Sequence, residues 1–151
     1  QAEDGIRDSV ASRGLGDVYK RQVYNRPLKD LLFSRHERMQ LVQEAFLTTD
    51  NVTIESYDGL TVDFCDSVDA KIILRGLRVF SDFEHEFRMA LANRRLAHGI
   101  DTVSLITSEQ HTFLSSSTVR EIAALGGDVS SMVPDFVLDA LEKKLAQGYT
   151  K

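Results

Sequence analysis

Cysteine is almost absent from this chain: Cys65 is the only one in 151 residues. A single thiol can neither close an intramolecular disulfide nor build a cysteine zinc cluster, which removes both classes. Long apolar runs are missing as well, and none approaches the roughly 20 residues of a membrane-spanning helix. With no secretory leader in view, the expected compartment is a reducing cytoplasm. An excess of basic charge is lacking too. Eighteen Lys and Arg face 23 Asp and Glu, a formal charge of −5. Phosphate-tracking surfaces are usually basic, so neither nucleic acid nor a membrane is an expected partner. No P-loop and no Ser-His-Asp set is present. His36, His85, His98 and His111 show no metal-ligand spacing, and no metal-binding residue is expected.

What is present suffices for one domain. Apolar residues make up 42% of the chain, enough to fill a core at this length. Two regimes divide the sequence. Residues 1–22 carry Gly5, Gly14 and Gly16 with scattered charges and no regular period. This segment reads as irregular or foreign to the rest, and residues 23–151 read as an α/β domain. Only the stretch from Val18 to Asn25 is expected to form a strand.

From Val23 onward the pattern is regular. Ser34-Arg-His-Glu37 predicts a capping box, and Met39, Val42, Ala45 and Phe46 give a helical stripe behind it. Val52, Ile54 and Ser56 alternate as in a strand. Leu60, Phe64 and Val68 then repeat every four residues. Residues 71–74 predict a short buried strand. Ser81-Asp-Phe-Glu84 predicts a second capping box, with Phe83, Phe87 and Leu91 as the inner face of its helix. Residues 102–106 predict another strand. Thr118-Val-Arg-Glu121 opens a helix that Gly126-Gly127 closes, and Pro134 starts the last one. Strands alternating with helices predict a parallel sheet flanked by helices, whose ligands bind beyond the carboxyl ends of the strands.

Two constellations stand at such ends. Arg75-Gly-Leu-Arg78 follows a buried strand, and arginine forks match phosphate oxygens. Ser115-Ser-Ser117 precedes a helix, where hydroxyls and free amides favour an anion. The ordinary alternatives are surface salt bridges and a serine-rich turn. Glu86 could accept a ligand hydroxyl or amine, or simply be solvated. Cys65 fits a small core residue better than a nucleophile.

Taken together, these residues resemble the bacterial phosphopantetheine adenylyltransferases. The block Ile73-Leu-Arg-Gly-Leu-Arg-Val-Phe-Ser-Asp-Phe-Glu-His-Glu86 carries the likeness, continued by Met89-Ala-Leu-Ala-Asn-Arg94. Thr112-Phe-Leu-Ser-Ser-Ser-Thr-Val-Arg-Glu121 is a second block, and Asn25-Arg-Pro-Leu-Lys29 with Phe33, Glu37 and Arg38 a third. The likeness covers residues 23–145. It implies a Rossmann-like nucleotidyltransferase fold and the transfer of AMP from ATP to 4′-phosphopantetheine. Magnesium is the implied ion, and a homo-oligomer, a hexamer in the family, the implied assembly.

The resemblance also implies roles. Lys29 and Arg78 would be catalytic, with Lys29 bridging the two substrates. Lys29, Thr61 and Arg75 would bind the acceptor, Arg75 at its phosphate. Gly76, Leu77, Arg78 and Glu86 would meet the nucleotide. So would the loop of His111, Thr112, Phe113, Leu114, Ser115, Ser116 and Ser117. One part is lacking. The family opens with a strand ending in Gly-[Thr/Ser]-Phe-Asp-Pro and a helix starting with Gly-His, yet this sequence contains no Gly-His pair. The first strand is therefore expected to be replaced and activity impaired. Nicotinate-nucleotide adenylyltransferase and a non-catalytic coenzyme A- or nucleotide-binding remnant are the alternatives.

Overall fold

A computed structural model describes the backbone of residues 10–12 and 19–24, and residues 31–148 in full. Lys29 and its neighbours 25–28 lie outside the described residues. The chain order is β1 (Val10–Ser12), β2 (Tyr19–Tyr24), α1 (Arg35–Ala45), β3 (Val52–Tyr57), α2 (Thr61–Ser67), β4 (Ile72–Leu77), α3 (Phe80–Leu96), β5 (Asp101–Ile106), α4 (Ser116–Ala124) and α5 (Asp135–Ala146). The strands form one sheet in the order β3-β2-β1-β4-β5. β2 pairs parallel with β3, and β4 parallel with β5. This is the expected α/β architecture, with helices as the crossovers between parallel strands.

The strand expected near residues 18–25 is β2. β1 is a departure, because residues 10–12 were expected to be irregular. Val10, Ala11 and Ser12 pair antiparallel with Arg21, Lys20 and Tyr19 on one side and with Leu74, Ile73 and Ile72 on the other. The physical reason is the gap itself. β2 and β4 each offer it a row of backbone donors and acceptors, and any short extended segment without proline can pair with them.

Two apolar clusters hold the layers. Val62, Cys65, Ala70, Ile73 and Ile100 pack where α2 meets β4, which places Cys65 in the core as expected. Leu32, Val129 and Leu141 form the second cluster, with Val119, Ile122 and Leu138 against it. The expected capping box of α1 is present: Ser34 N donates to Glu37 Oε2 at 2.6 Å, and Glu37 N to Ser34 Oγ at 3.3 Å. Pro134 sits one position earlier than expected, at the cap of α5, and α4 starts at Ser116 rather than Thr118.

The head of α3 differs more. Its cap is Val79, without a side-chain cap bond, so Ser81 and Glu84 form no capping box. The helix begins two residues sooner because Asp82 is drawn to Arg78 instead. Phe83, Phe87 and Leu91 are not an inner face either: they are 48%, 53% and 54% exposed. Phe80, Phe83 and Phe87 stack on one another along the helix surface. The stripe is real, but the sheet side of α3 is occupied by Asp82 and Glu86.

Glu37 also ties α1 to α5. Lys144 Nζ reaches its two carboxyl oxygens at 2.7 and 3.0 Å. That ammonium, with the Ser34 bonds, lowers the Glu37 pKa from 4.5 to about 2. A depressed carboxyl contributes stability above its unfolded pKa and loses it as pH falls through the folded value. Stability should therefore decline between about pH 4.5 and 2. The contribution is about 1 kcal/mol, discounted because the pair is partly exposed. Thermal melts of the wild type and Lys144→Met across this window should converge at low pH. Parallel curves would contradict the assignment.

Candidate active site

The site grows from the carboxyl half of β4. The strand runs three residues further than expected, so Arg75 lies within it, paired in register with Ser104, and Arg78 follows its end. α3 turns back beside it. Residues four apart share a helix face, which sets Asp82 and Glu86 side by side. Each holds one arginine. Arg75 Nε and Nη2 donate to Glu86 Oε2 and Oε1, both at 2.7 Å. These side chains are only 17% and 13% exposed, so the fork is held in a largely dry setting. The backbone N–H and Nε of Arg78 both donate to Asp82 Oδ2 at 3.2 Å. Burial pushes the Asp82 carboxyl up, but the bonds from Arg78 outweigh it and leave its pKa below the usual range.

Arg78 also reaches across the sheet edge, where Nη1 donates to the Leu114 carbonyl at 2.5 Å. The next residue, Ser115, caps α4: its Oγ accepts from Thr118 N at 3.1 Å. Ser116 and Ser117 form the first turn, so the positive end of the α4 dipole lies beside Arg78.

These groups border one cavity of about 600 Å³. Arg75, Gly76, Arg78 and Glu86 line it from the β4–α3 side, and Leu114, Ser115 and Ser116 from the α4 side. Val42, Phe46, Val137 and Leu141 from α1 and α5 supply an apolar wall. The cavity can thus take a ligand with several anionic groups at one end and apolar parts at the other.

Not every expected site residue is in the cavity wall. Leu77 closes β4, and its carbonyl accepts from Thr107 N at 2.8 Å. Thr61 opens α2 beyond β3, its hydroxyl 2.8 Å from that of Tyr57. His111 ends a short turn at Glu109–His111 and Thr112 follows it. Phe113 is 61% exposed. Ser117 stands in α4 but outside the lining. Four ionisable lining residues are additional to the expected site: Arg38, Asp82, His85 and Arg120. Arg120 was legible in principle, since it follows Ser116 by one helical turn, and its Nε donates to the Ser116 carbonyl at 3.3 Å. Arg38, 4% exposed, also borders the cavity. Burial, then the charge of Arg35, lowers its pKa.

Residues 18–122 match the cytidylyltransferase-like family. The chain is 50% identical over 121 residues to the phosphopantetheine adenylyltransferase of Roseiflexus castenholzii, covering 80% of this chain and 76% of that protein. It is 40% identical over 131 residues to that of Alkaliphilus metalliredigens, covering 85% and 83%. With the enzyme of the same name from Gloeobacter violaceus it shares 48% identity over 124 residues, 82% of this chain and 77% of the relative. An arginine-lined cavity at the strand ends of an α/β sheet, joined to this degree of identity, leads to one conclusion: the chain belongs to the phosphopantetheine adenylyltransferase family of nucleotidyltransferases.

Proposed function

We propose that the cavity binds ATP and 4′-phosphopantetheine and supports transfer of the adenylyl group, releasing dephospho-coenzyme A and pyrophosphate. One observation carries this reading: Arg75, Arg78, Ser115 and Ser116 line a single cavity beyond the strand ends. An oxygen of the acceptor phosphate forms the new bond to the α-phosphorus. The bond from that phosphorus to the α,β-bridging oxygen breaks, and pyrophosphate leaves with the electron pair. The nucleophile is already an anion, so no general base is needed. Catalysis then rests on holding two phosphates in line and stabilising charge at the α-phosphate.

The roles follow from the resemblance to the family. Arg75 takes the acceptor phosphate, and Thr61 lies along the pantetheine arm. Gly76, Leu77, Arg78 and the loop from His111 to Ser117 take the nucleotide, with Arg78 stabilising the transferred phosphate. Glu86 supports the nucleotide side while orienting Arg75. Lys29 bridges the substrates. Magnesium enters with ATP as its counter-ion. Among the described residues no group of three or more His, Cys, Asp or Glu is placed to hold an ion. Arginines occupy both Glu86 and Asp82.

Among the described residues no helix is long and apolar enough to cross a membrane. The working setting is the cytoplasm, with neither nucleic acid nor membrane as partner. The exposed stripe of Phe80, Phe83, Phe87 and Leu91, with Val103, Leu105 and Ile106 on the edge strand β5, suits burial between copies. The proposed assembly is a homo-oligomer, a hexamer by analogy with the family. A non-catalytic binding remnant is the second reading, favoured by the lack of a Gly-His pair. Titrating the chain with 4′-phosphopantetheine and, separately, nicotinate mononucleotide tests the acceptor. Preference for the former is expected, and equal or reversed preference would overturn the reading.

A further inference from the structure

Asp82 has no part in the chemistry above, yet it is one of two charged side chains that are buried among the described residues, at 6% exposure. Its Oδ2 receives both the backbone N–H and Nε of Arg78. The same guanidinium donates through Nη1 to the carbonyl of Leu114, the residue before the α4 cap. Carboxylate, guanidinium and carbonyl thus form a chain across α3, the β4–α3 turn and the loop into α4. An arginine side chain has many rotamers, and its planar fork is useful only when its plane is fixed. Asp82 fixes that plane at Nε and at the backbone together. The remaining nitrogens, and through Leu114 the serine-rich helix start, are then placed as a unit.

We propose that Asp82 is a positioning residue for nucleotide binding, acting through Arg78 without touching the nucleotide. The inference rests on the reading of this cavity as a nucleotide site. It makes a prediction of counter-intuitive sign. Removing a negative charge from a cationic cavity should, by attraction alone, strengthen ATP binding. Loss of orientation predicts weaker binding instead. Glu86, one turn on, holds Arg75 and not Arg78, so the acceptor side is not expected to follow.

The test is calorimetric titration of ATP and of 4′-phosphopantetheine into the whole chain, Asp82→Asn, Arg78→Ala and the double variant. Asp82→Asn should weaken ATP about tenfold, the scale of a hydrogen bond to a charged group. Acceptor affinity should stay within about twofold, and in the Arg78→Ala background the substitution should have no further effect. Tighter ATP binding, equal loss of both ligands, or the same loss in both backgrounds would overturn the proposal. Arg78→Lys keeps the charge but cannot span Asp82 and Leu114. It should lose ATP affinity similarly, and gives a second route if Asp82→Asn folds poorly. A wild-type chain that takes up no ATP overturns the nucleotide reading, and the proposal with it. A wild type that binds ATP as well as Asp82→Asn does overturns the proposal alone.

Discussion

A chain whose residues 1–22 are replaced by a family-type opening, a strand ending in Gly-[Thr/Ser]-Phe-Asp-Pro and a helix starting with Gly-His, is expected to turn over at least about 10²-fold faster than the 151-residue chain. One preorganised donor at the reacting phosphate is typically worth about 10²–10³ in rate. The topology explains why β1 does not compensate. It runs antiparallel to its neighbours, with Ser12 opposite Ile72 and Val10 opposite Leu74. Its carboxyl end therefore points away from Arg75. A strand-to-helix turn after β1 would open on the opposite edge of the sheet, where no dipole or donor could face the α-phosphate. Positioning should suffer along with charge stabilisation. Pyrophosphate release, followed with ATP and 4′-phosphopantetheine for both chains, measures the difference. Comparable turnover would mean that residues 1–22 supply what the Gly-His helix supplies elsewhere.

The second large effect is expected at Arg75. Arg75→Ala in the restored chain should weaken 4′-phosphopantetheine about 10²-fold, because hydrogen bonds to charged groups are worth about 1.5–3 kcal/mol each and a phosphate can take two from one fork. The substitution has a second consequence. Glu86, only 13% exposed, loses the partner that holds both its oxygens. Leaving such a group unsatisfied costs about 1–3 kcal/mol. Adding Glu86→Gln should restore part of that stability without restoring affinity. The combination separates a ligand role from a structural one. Unchanged acceptor binding in Arg75→Ala, read by calorimetry, would remove Arg75 from the site.

Much of this site was legible because its chemistry stands where the alternation of strands and helices breaks. Arg75-Gly-Leu-Arg78 and Ser115-Ser-Ser117 fall at element ends, and element ends on one sheet edge converge. Pairing within the site was not legible. Ser81 and Glu84 have capping-box spacing, but Arg78 claims the buried Asp82 between them, and that demand outweighs a cap. Phe83, Phe87 and Leu91 have the period of a buried stripe, and periodicity names a face without saying what covers it. The strand at residues 10–12 left no signal at all. Val-Ala-Ser is a weak strand former, and its place is set by the gap between β2 and β4 rather than by its own sequence.

Dephospho-coenzyme A, the product that carries both substrate halves, gives the most direct test of the central claim that one cavity holds both. Titrated calorimetrically into the chain, it should bind more tightly than either AMP or 4′-phosphopantetheine, and Arg75→Ala and Arg78→Ala should each weaken it by about tenfold or more. Binding no tighter than that of AMP, or indifferent to both substitutions, would contradict the account.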